Sequence, residues 1–82
     1  MVTFSRHPNF KNLFSKIKDQ STKKKIITQL KKIRNNPEVG KPMKHSRKGT
    51  RELYVNPYRL SYAYIEEEDK VILLDLYHKD KQ

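Results

Sequence analysis

Cysteine is absent from the 82 residues of this chain. Disulfide bonds and cysteine-ligated zinc therefore do not compensate for a thin core, and an intracellular location is permitted. The 34% of hydrophobic residues can form one small core, since a domain of this size buries only about 60–65% of its unfolded surface. We predict a single domain spanning residues 1–82.

Long hydrophobic runs are also absent. The first residues, Met-Val-Thr-Phe-Ser-Arg-His-Pro, lack the apolar stretch of a signal peptide, and no segment approaches the length that spans a membrane. No cluster of metal ligands is visible in the sequence either. We therefore expect a soluble, cytoplasmic protein without a metal or other cofactor.

Acidic residues are scarce: nine Asp and Glu stand against nineteen Lys and Arg, for a net charge of +10. Four of the nine acids are adjacent, at residues 66–69, so the remainder of the chain is more basic still. A positive field of this size attracts polyanions and speeds their association. It favours nucleic acid or an acidic protein as the partner, although the same lysines would also keep a small domain soluble.

Two amphipathic helices are predicted in the first half of the chain. Pro8 suits the first turn of a helix. Phe10, Leu13, Phe14 and Ile17 then follow at i, i+3, i+4 and i+7, which predicts one apolar stripe on a helix of about three turns.

Ser21 or Thr22 is predicted to cap the second helix. This helix ends before Pro37, because proline disfavours the helical conformation in the residue that precedes it. Its apolar stripe consists of Ile26, Ile27, Leu30 and Ile33. The two helices are expected to form a hairpin with both stripes facing the core.

Residues 38–50 are predicted to form a loop, which contains both glycines of the chain. A strand follows, in which Leu53 and Val55 alternate with Glu52 and Tyr54. After a turn at Asn56-Pro57, a second strand has Leu60, Tyr62 and Tyr64 on one face and Arg59, Ser61 and Ala63 on the other. Residues 71–76 are nearly all apolar, as expected of a central strand covered on both faces.

The order of these elements predicts the fold class. A short first strand, a helical hairpin and then three strands give the order β-α-α-β-β-β. We predict an α+β domain with the hairpin packed on one face of a mostly antiparallel four-stranded sheet.

An arginine interrupts the second strand of the C-terminal part. Arg59 lies between small residues on its face, and a phosphate partner would explain it, because a guanidinium donates two parallel hydrogen bonds to phosphate oxygens. The alternative is an ion pair with Asp75 or with the acidic turn. His78 ends the neighbouring strand and is followed by Lys79. Histidine exchanges protons near neutral pH, although a lone histidine at a strand end is often only partly solvated.

Four segments occur in a fixed order along the chain. They are Asn36-Pro-Glu-Val-Gly-Lys-Pro-Met-Lys, Arg51-Glu-Leu, Tyr58-Arg-Leu-Ser-Tyr and Val71-Ile-Leu-Leu-Asp-Leu-Tyr-His-Lys. This ordered set resembles the RelE/ParE superfamily of toxins from type II toxin–antitoxin systems, and the resemblance covers nearly the whole chain. Gly-Lys-Pro, Tyr-Arg-Leu and the terminal Tyr-His look closer to the RelE and YoeB ribonuclease branches than to the ParE branch.

The resemblance implies a toxin that cleaves messenger RNA in the ribosomal A site without a metal. It implies a cognate antitoxin, acidic and partly disordered, that forms a heteromer with a toxin that is monomeric when free. The arginine that stabilises the scissile phosphate falls on Arg59. The histidine or basic position at the end of the last strand falls on His78 and Lys79, where YoeB-like members use a histidine as general acid.

The sequence departs from both branches around the proton chemistry. Glu52 and Tyr54 occupy the strand in which RelE-like toxins carry two lysines, and Met43 follows Pro42 where YoeB-like toxins carry a glutamate base. Glu52 is then a candidate base or a solvated charge. Tyr54 is a candidate for base stacking or proton transfer, or one member of a cross-strand aromatic pair.

The basic loop supplies the candidate RNA contacts. Residues 41–51 hold five Lys and Arg and no acid, as expected for binding phosphates, although a solvated loop has the same composition. The candidates are Lys41, Lys44, His45, Arg47, Lys48 and Arg51. Of these, His45 is also a candidate base.

Three functions remain open at this point. The first is a ribosome-dependent endoribonuclease toxin. The second is a ParE-like toxin that poisons DNA gyrase and cuts no RNA. The third is a catalytically degenerate module that binds RNA or the ribosome.

Overall fold

The computed structural model of the chain describes residues 2–43 and 49–81. Its elements are β1 (Thr3–Arg6), α1 (Pro8–Lys16), α2 (Gln20–Asn35), β2 (Lys41–Pro42), β3 (Thr50–Val55), β4 (Tyr58–Ile65), a 3-10 turn (Glu66–Glu68), β5 (Lys70–His78) and a last 3-10 turn (Lys79–Lys81). The prediction of an α+β fold is confirmed.

Within the described residues the strands form one five-stranded sheet, in the order β1-β5-β4-β3-β2. β1 runs parallel to β5, and the other neighbours are antiparallel. The prediction of four strands missed β2, where Lys41 and Pro42 pair with Glu52 and Arg51 in the segment predicted as a loop. Two residues are too few to show alternation, and proline is tolerated because β2 lies at the edge of the sheet.

The apolar stripes of both helices pack against one face of the sheet, called the inner face below. In α1, Phe10 is buried, while Ile17 is buried but caps the helix instead of extending it. In α2, Ile26 and Ile33 are fully buried as predicted. Ile27 is 43% exposed, because it lies about 100° around the helix from Ile26. Neither helix of the described chain has the length and apolarity to cross a membrane.

The N-terminus of α2 differs from the prediction. Asp19, and not Ser21 or Thr22, is the cap, because its carboxylate accepts hydrogen bonds from the Ser21 N–H at 3.1 Å and the Thr22 hydroxyl at 2.6 Å. The Thr22 hydroxyl and then the Ser21 N–H lower the pKa of Asp19 below its ordinary value of 3.8.

This cap predicts a pH-dependent stability. A carboxyl group whose pKa is lower in the folded protein stabilises it above the unfolded pKa, and the effect is lost as the pH falls through the folded pKa. Asp19→Asn keeps a neutral capping side chain, so it is expected to melt a few degrees below the wild type at pH 7. Thermal melts should show this gap closing as the pH falls below 3.8, the ordinary value for Asp19. An equal gap at pH 7 and at about pH 2.5 would contradict the prediction.

A β-bulge sits where β5 pairs with β4. Ser61 pairs with Asp75, but Tyr62 pairs with Leu73, so Leu74 is an extra residue in β5. Bulges of this kind re-aim the side chains that follow them.

The bulge decides which face each later side chain of β5 occupies. Val71 and Leu76 are both fully buried in the core although five positions separate them, an odd number that unbroken alternation would put on opposite faces. Beyond the bulge, Tyr77 consequently lies on the outer face of the sheet, and His78 lies on the inner face.

Candidate active site on the outer face of the sheet

Three neighbouring strands place a row of three side chains on the outer face. Arg59 of β4 pairs with Tyr54 of β3 on one side and with Tyr77 of β5 on the other. Tyr54 is 50% exposed, and the Arg59 side chain is 41% exposed. The arginine singled out in the sequence is therefore accessible to a ligand and has aromatic neighbours.

Glu52, from the adjacent row, completes this group. Its Oε1 lies 3.8 Å from Nη1 of Arg59, and its Oε2 accepts a hydrogen bond from the Tyr77 hydroxyl. The Glu52 side chain is only 9% exposed, so the expectation that it might be a solvated charge is wrong. The alternative partners predicted for Arg59 were Asp75 and the acidic turn, whereas the ion pair found is with Glu52. Glu52, Tyr54, Arg59 and Tyr77 are called the Arg59 cluster below.

The guanidinium of Arg59 is held loosely enough to accept a ligand. Its Cζ lies 5.9 Å from the centre of the Tyr54 ring, and the Tyr54 hydroxyl donates to Asn56 Oδ1 at 2.8 Å, which orients that ring. The Nε atom is buried without an acceptor among the described residues. A long ion pair and one ring contact therefore hold the guanidinium from one side, and its exposed side can donate to an anion.

Tyr77 was not predicted as a site residue. Uninterrupted alternation along β5 would have put His78, not Tyr77, on the face that carries Arg59. The bulge at Leu74 reverses this, and the uniformly apolar residues 71–74 give no sequence signal for it. Asp75, a charged residue two positions before Tyr77, was a hint in the sequence that both side chains lie on the outer face.

His78 lies where β5 ends, on the strand next to that of Arg59 as predicted, but it points to the inner face. Its ring packs edge-on against that of Tyr58, with 5.6 Å between the ring centroids, and the side chain of His78 is 34% exposed. Nδ1 accepts a hydrogen bond from the Asp80 N–H at 3.2 Å and lies 3.7 Å from the Asp80 carboxylate. Lys79 is exposed, and its backbone N–H donates to the Pro57 carbonyl at 3.0 Å. The structure does not bring these two residues into the Arg59 cluster.

Arg51 is occupied by the connection between α2 and β2. Its Nη1 donates to the carbonyls of Glu38 and Gly40, both at 2.9 Å, and its Nη2 lies 3.6 Å from the Glu38 carboxylate. The RNA contact predicted for Arg51 therefore competes with a structural role. Lys41 is exposed on β2, as an RNA contact requires. The remaining predicted contacts, Lys44, His45, Arg47 and Lys48, lie outside the described residues.

Tyr62 clamps the same connection to the core. Its hydroxyl donates to the Pro37 carbonyl at 2.7 Å and accepts from the Gly40 N–H at 2.9 Å. Burial raises the pKa of Tyr62, so the hydroxyl stays protonated and can donate. Glycine is required at position 40, because a Cβ there would lie 2.7 Å from the Tyr62 hydroxyl oxygen. This clamp sets the position of β2 beside β3.

Metal binding has no evident donor set in the part of the chain that the structure describes, where no three His, Asp or Glu side chains are grouped. The chemistry available to the Arg59 cluster itself is the binding and stabilisation of negative charge.

The fold, with an arginine exposed on one face of its sheet, agrees with the resemblance to RelE/ParE toxins. The family model described as the ParE toxin of type II toxin–antitoxin systems, parDE, matches residues 7–82. Because this match covers most of the chain, the chain belongs to that family and is a toxin of a type II toxin–antitoxin system. No curated protein matches the chain.

Solved structures of related toxins share the fold. The RelBE toxin–antitoxin complex of E. coli contains a chain with a TM-score of 0.82 and 12% identity, over 95% of this chain and 96% of that one. A YoeB/ParE toxin from Agrobacterium tumefaciens has a TM-score of 0.84 and 12% identity, and the match covers 94% of this chain and 98% of that one. The YoeB dimer from Staphylococcus aureus contains a chain with a TM-score of 0.78 and 22% identity, and the match covers 94% of this chain and 97% of that one. The prediction of the RelE/ParE superfamily is confirmed.

Proposed function

We propose that the chain is an endoribonuclease that cleaves messenger RNA on the ribosome. The observation that supports this most directly is the Arg59 cluster, which holds an exposed guanidinium on an open sheet face beside an exposed aromatic ring. Arginine suits the transition state of RNA cleavage because it stays protonated and stabilises the charge that develops on the phosphorane. In this proposal Tyr54, whose ring is exposed, stacks on an RNA base next to that phosphate.

Glu52 acts in this proposal as a positioning residue for Arg59 and not as the general base. One of its oxygens accepts from Tyr77, the other faces Arg59, and the side chain is nine-tenths buried. A base must reach the 2′-hydroxyl of the RNA directly or through one water. A carboxylate with both oxygens engaged and little exposure is better suited to fixing the guanidinium.

His78 is the proposed proton donor or acceptor. It belongs to the last pair of the β4–β5 ladder, and at the end of a sheet a bound RNA strand can pass from one face to the other. Lys79, which follows it, is exposed and adds a positive charge at the same end. His45 remains a second candidate base, with the basic loop holding RNA phosphates.

A second candidate function is supported by the family match. The matching model is that of the ParE toxin, and a ParE-like protein would poison DNA gyrase and leave RNA intact. The cation-rich surface would serve either target, since the chain carries a net charge of +10. The Arg59 cluster favours the ribonuclease, because phosphoryl chemistry uses a positioned guanidinium.

Cells that express the toxin without its antitoxin distinguish these functions. After a short induction, the ribonuclease predicts new 5′ ends inside coding regions of transcripts, with intact chromosomal DNA. Intact transcripts together with double-strand breaks and a DNA-damage response would favour the gyrase poison. Growth without either effect would mean a degenerate module and would overturn both.

The partner proposed for this chain is an acidic, partly disordered antitoxin in the cytoplasm. The E. coli RelBE structure is a toxin–antitoxin complex with a chain of the same fold. Charge complementarity with a basic toxin and coupled folding on its surface support such a partner. Binding over the outer face would cover Arg59 and block access of RNA to it.

A further inference from the structure

A shallow groove crosses the outer face of the sheet next to the Arg59 cluster, and it has no role in the function proposed above. Its volume is about 240 Å³. The groove is lined by His7, Asn9, Thr50, Ser61, Leu74 and Asp75. One apolar side chain and several short polar ones therefore surround a space that is open to the solvent.

The groove lies within one nucleotide of Arg59. Ser61 pairs with Glu52 on one side and with Asp75 on the other. It follows Arg59 by two residues along β4, which is about 7 Å on the same face. An RNA whose phosphate is held by Arg59 therefore places the adjacent nucleotide over Ser61 and Asp75.

Asp75 presents a hydrogen-bond acceptor to this groove. The bulge at Leu74 sets its direction, and bulges commonly re-aim side chains beside functional sites. Its Oδ1 accepts from the Leu76 N–H at 2.8 Å, which fixes the carboxylate and leaves Oδ2 as its second acceptor in a side chain that lines the groove. A carboxylate accepts hydrogen bonds and donates none.

We infer that the groove binds one unpaired nucleobase of the RNA and that Asp75 selects a base carrying an amino group. This inference rests on the proposed ribonuclease function. Adenine, cytosine and guanine each offer amino hydrogens to Oδ2, whereas the pairing-edge donor of uracil, its N3–H, lies between two carbonyl oxygens that a carboxylate repels. Leu74 supplies an apolar contact for the base, and single-stranded RNA can splay a base into such a groove.

Asp75→Asn tests the selection because it should abolish it. The Leu76 N–H needs an acceptor, so the amide oxygen takes the place of Oδ1 and the NH2 group takes the place of Oδ2. The groove then presents a neutral donor, and every base, uracil included, offers it an acceptor. Mapping of transcript ends should show uracil depleted about tenfold next to the wild-type cut, and no longer depleted in the variant.

Glu67→Gln is the matched control, since it makes the same change of charge and group in the exposed turn that precedes β5. Its base preference should equal that of the wild type. Cleavage by Asp75→Asn with the wild-type preference would overturn the inference. Circular dichroism of each variant establishes that it is folded.

Binding of short oligomers makes the inference independent of cleavage. Fluorescence anisotropy should show that the wild type binds oligocytidine more tightly than oligouridine, and that Asp75→Asn removes this difference. Base selection in this assay, with transcripts intact in cells, would mean that the proposed ribonuclease function fails and the groove stands. Cleavage of transcripts in cells, without base selection in either assay, would mean that the ribonuclease function stands and the inference about the groove fails.

Discussion

Arg59→Ala is expected to abolish growth arrest and to lower the rate of transcript cleavage on purified ribosomes by about 10²–10³-fold. The guanidinium is the only group of the Arg59 cluster that carries positive charge, and no other side chain of the cluster can stabilise a phosphorane. Since Arg59 is 41% exposed and lies outside the hydrophobic core, the fold should survive. Thermal melts of the variant should therefore stay cooperative, with a midpoint lowered by a few degrees because the buried Glu52 carboxylate loses its ion pair.

Two further variants separate the role of Arg59 from its charge. Arg34→Ala removes the same charge from an exposed position on α2 and is expected to retain full toxicity. Arg59→Lys keeps the charge but loses the planar fork, so it should recover only a small part of the activity. Full activity of Arg59→Ala would remove this residue from the mechanism and would shift the balance towards the gyrase target.

The fold was predictable because its signals are periodic. Phe10 and Ile17 recur with the helical repeat, and Leu60 and Tyr62 alternate with the strand repeat, so their burial could be predicted from position alone. Arg59 could be selected because a cation among small residues breaks that pattern. These features depend only on neighbours in the sequence.

The parts that could not be predicted depend on contacts between distant residues. The bulge in β5 exchanges the faces of Tyr77 and His78, and the uniformly apolar residues 71–74 carry no sign of it. Arg51 looks like one more cation of a basic loop, yet its acceptors lie 13 and 11 positions earlier, at Glu38 and Gly40. The carboxylate of Glu52 accepts its hydrogen bond from Tyr77, which lies 25 positions away.

Glu52→Gln is expected to lower the rate of cleavage on purified ribosomes by about 10²-fold, because a guanidinium that is displaced by even 1 Å no longer matches the transition state. Glutamine keeps the size of the side chain and an acceptor for Tyr77, but it loses the ion pair with Arg59. Tyr77→Phe should have a smaller effect in the same direction, since it frees one oxygen of a carboxylate that still faces Arg59.

A double-mutant cycle decides whether Glu52 positions Arg59 or takes the proton. If Glu52 acts only through Arg59, Glu52→Gln should cause no further loss of the single-turnover cleavage rate in the Arg59→Ala background, because the guanidinium that it positions is gone. If Glu52 were the general base, it would act on the RNA directly, and the double variant should be slower than Arg59→Ala by the full factor measured for Glu52→Gln alone. Additive losses of this kind would therefore return Glu52 to the role of general base and would leave Arg59 as an independent contributor.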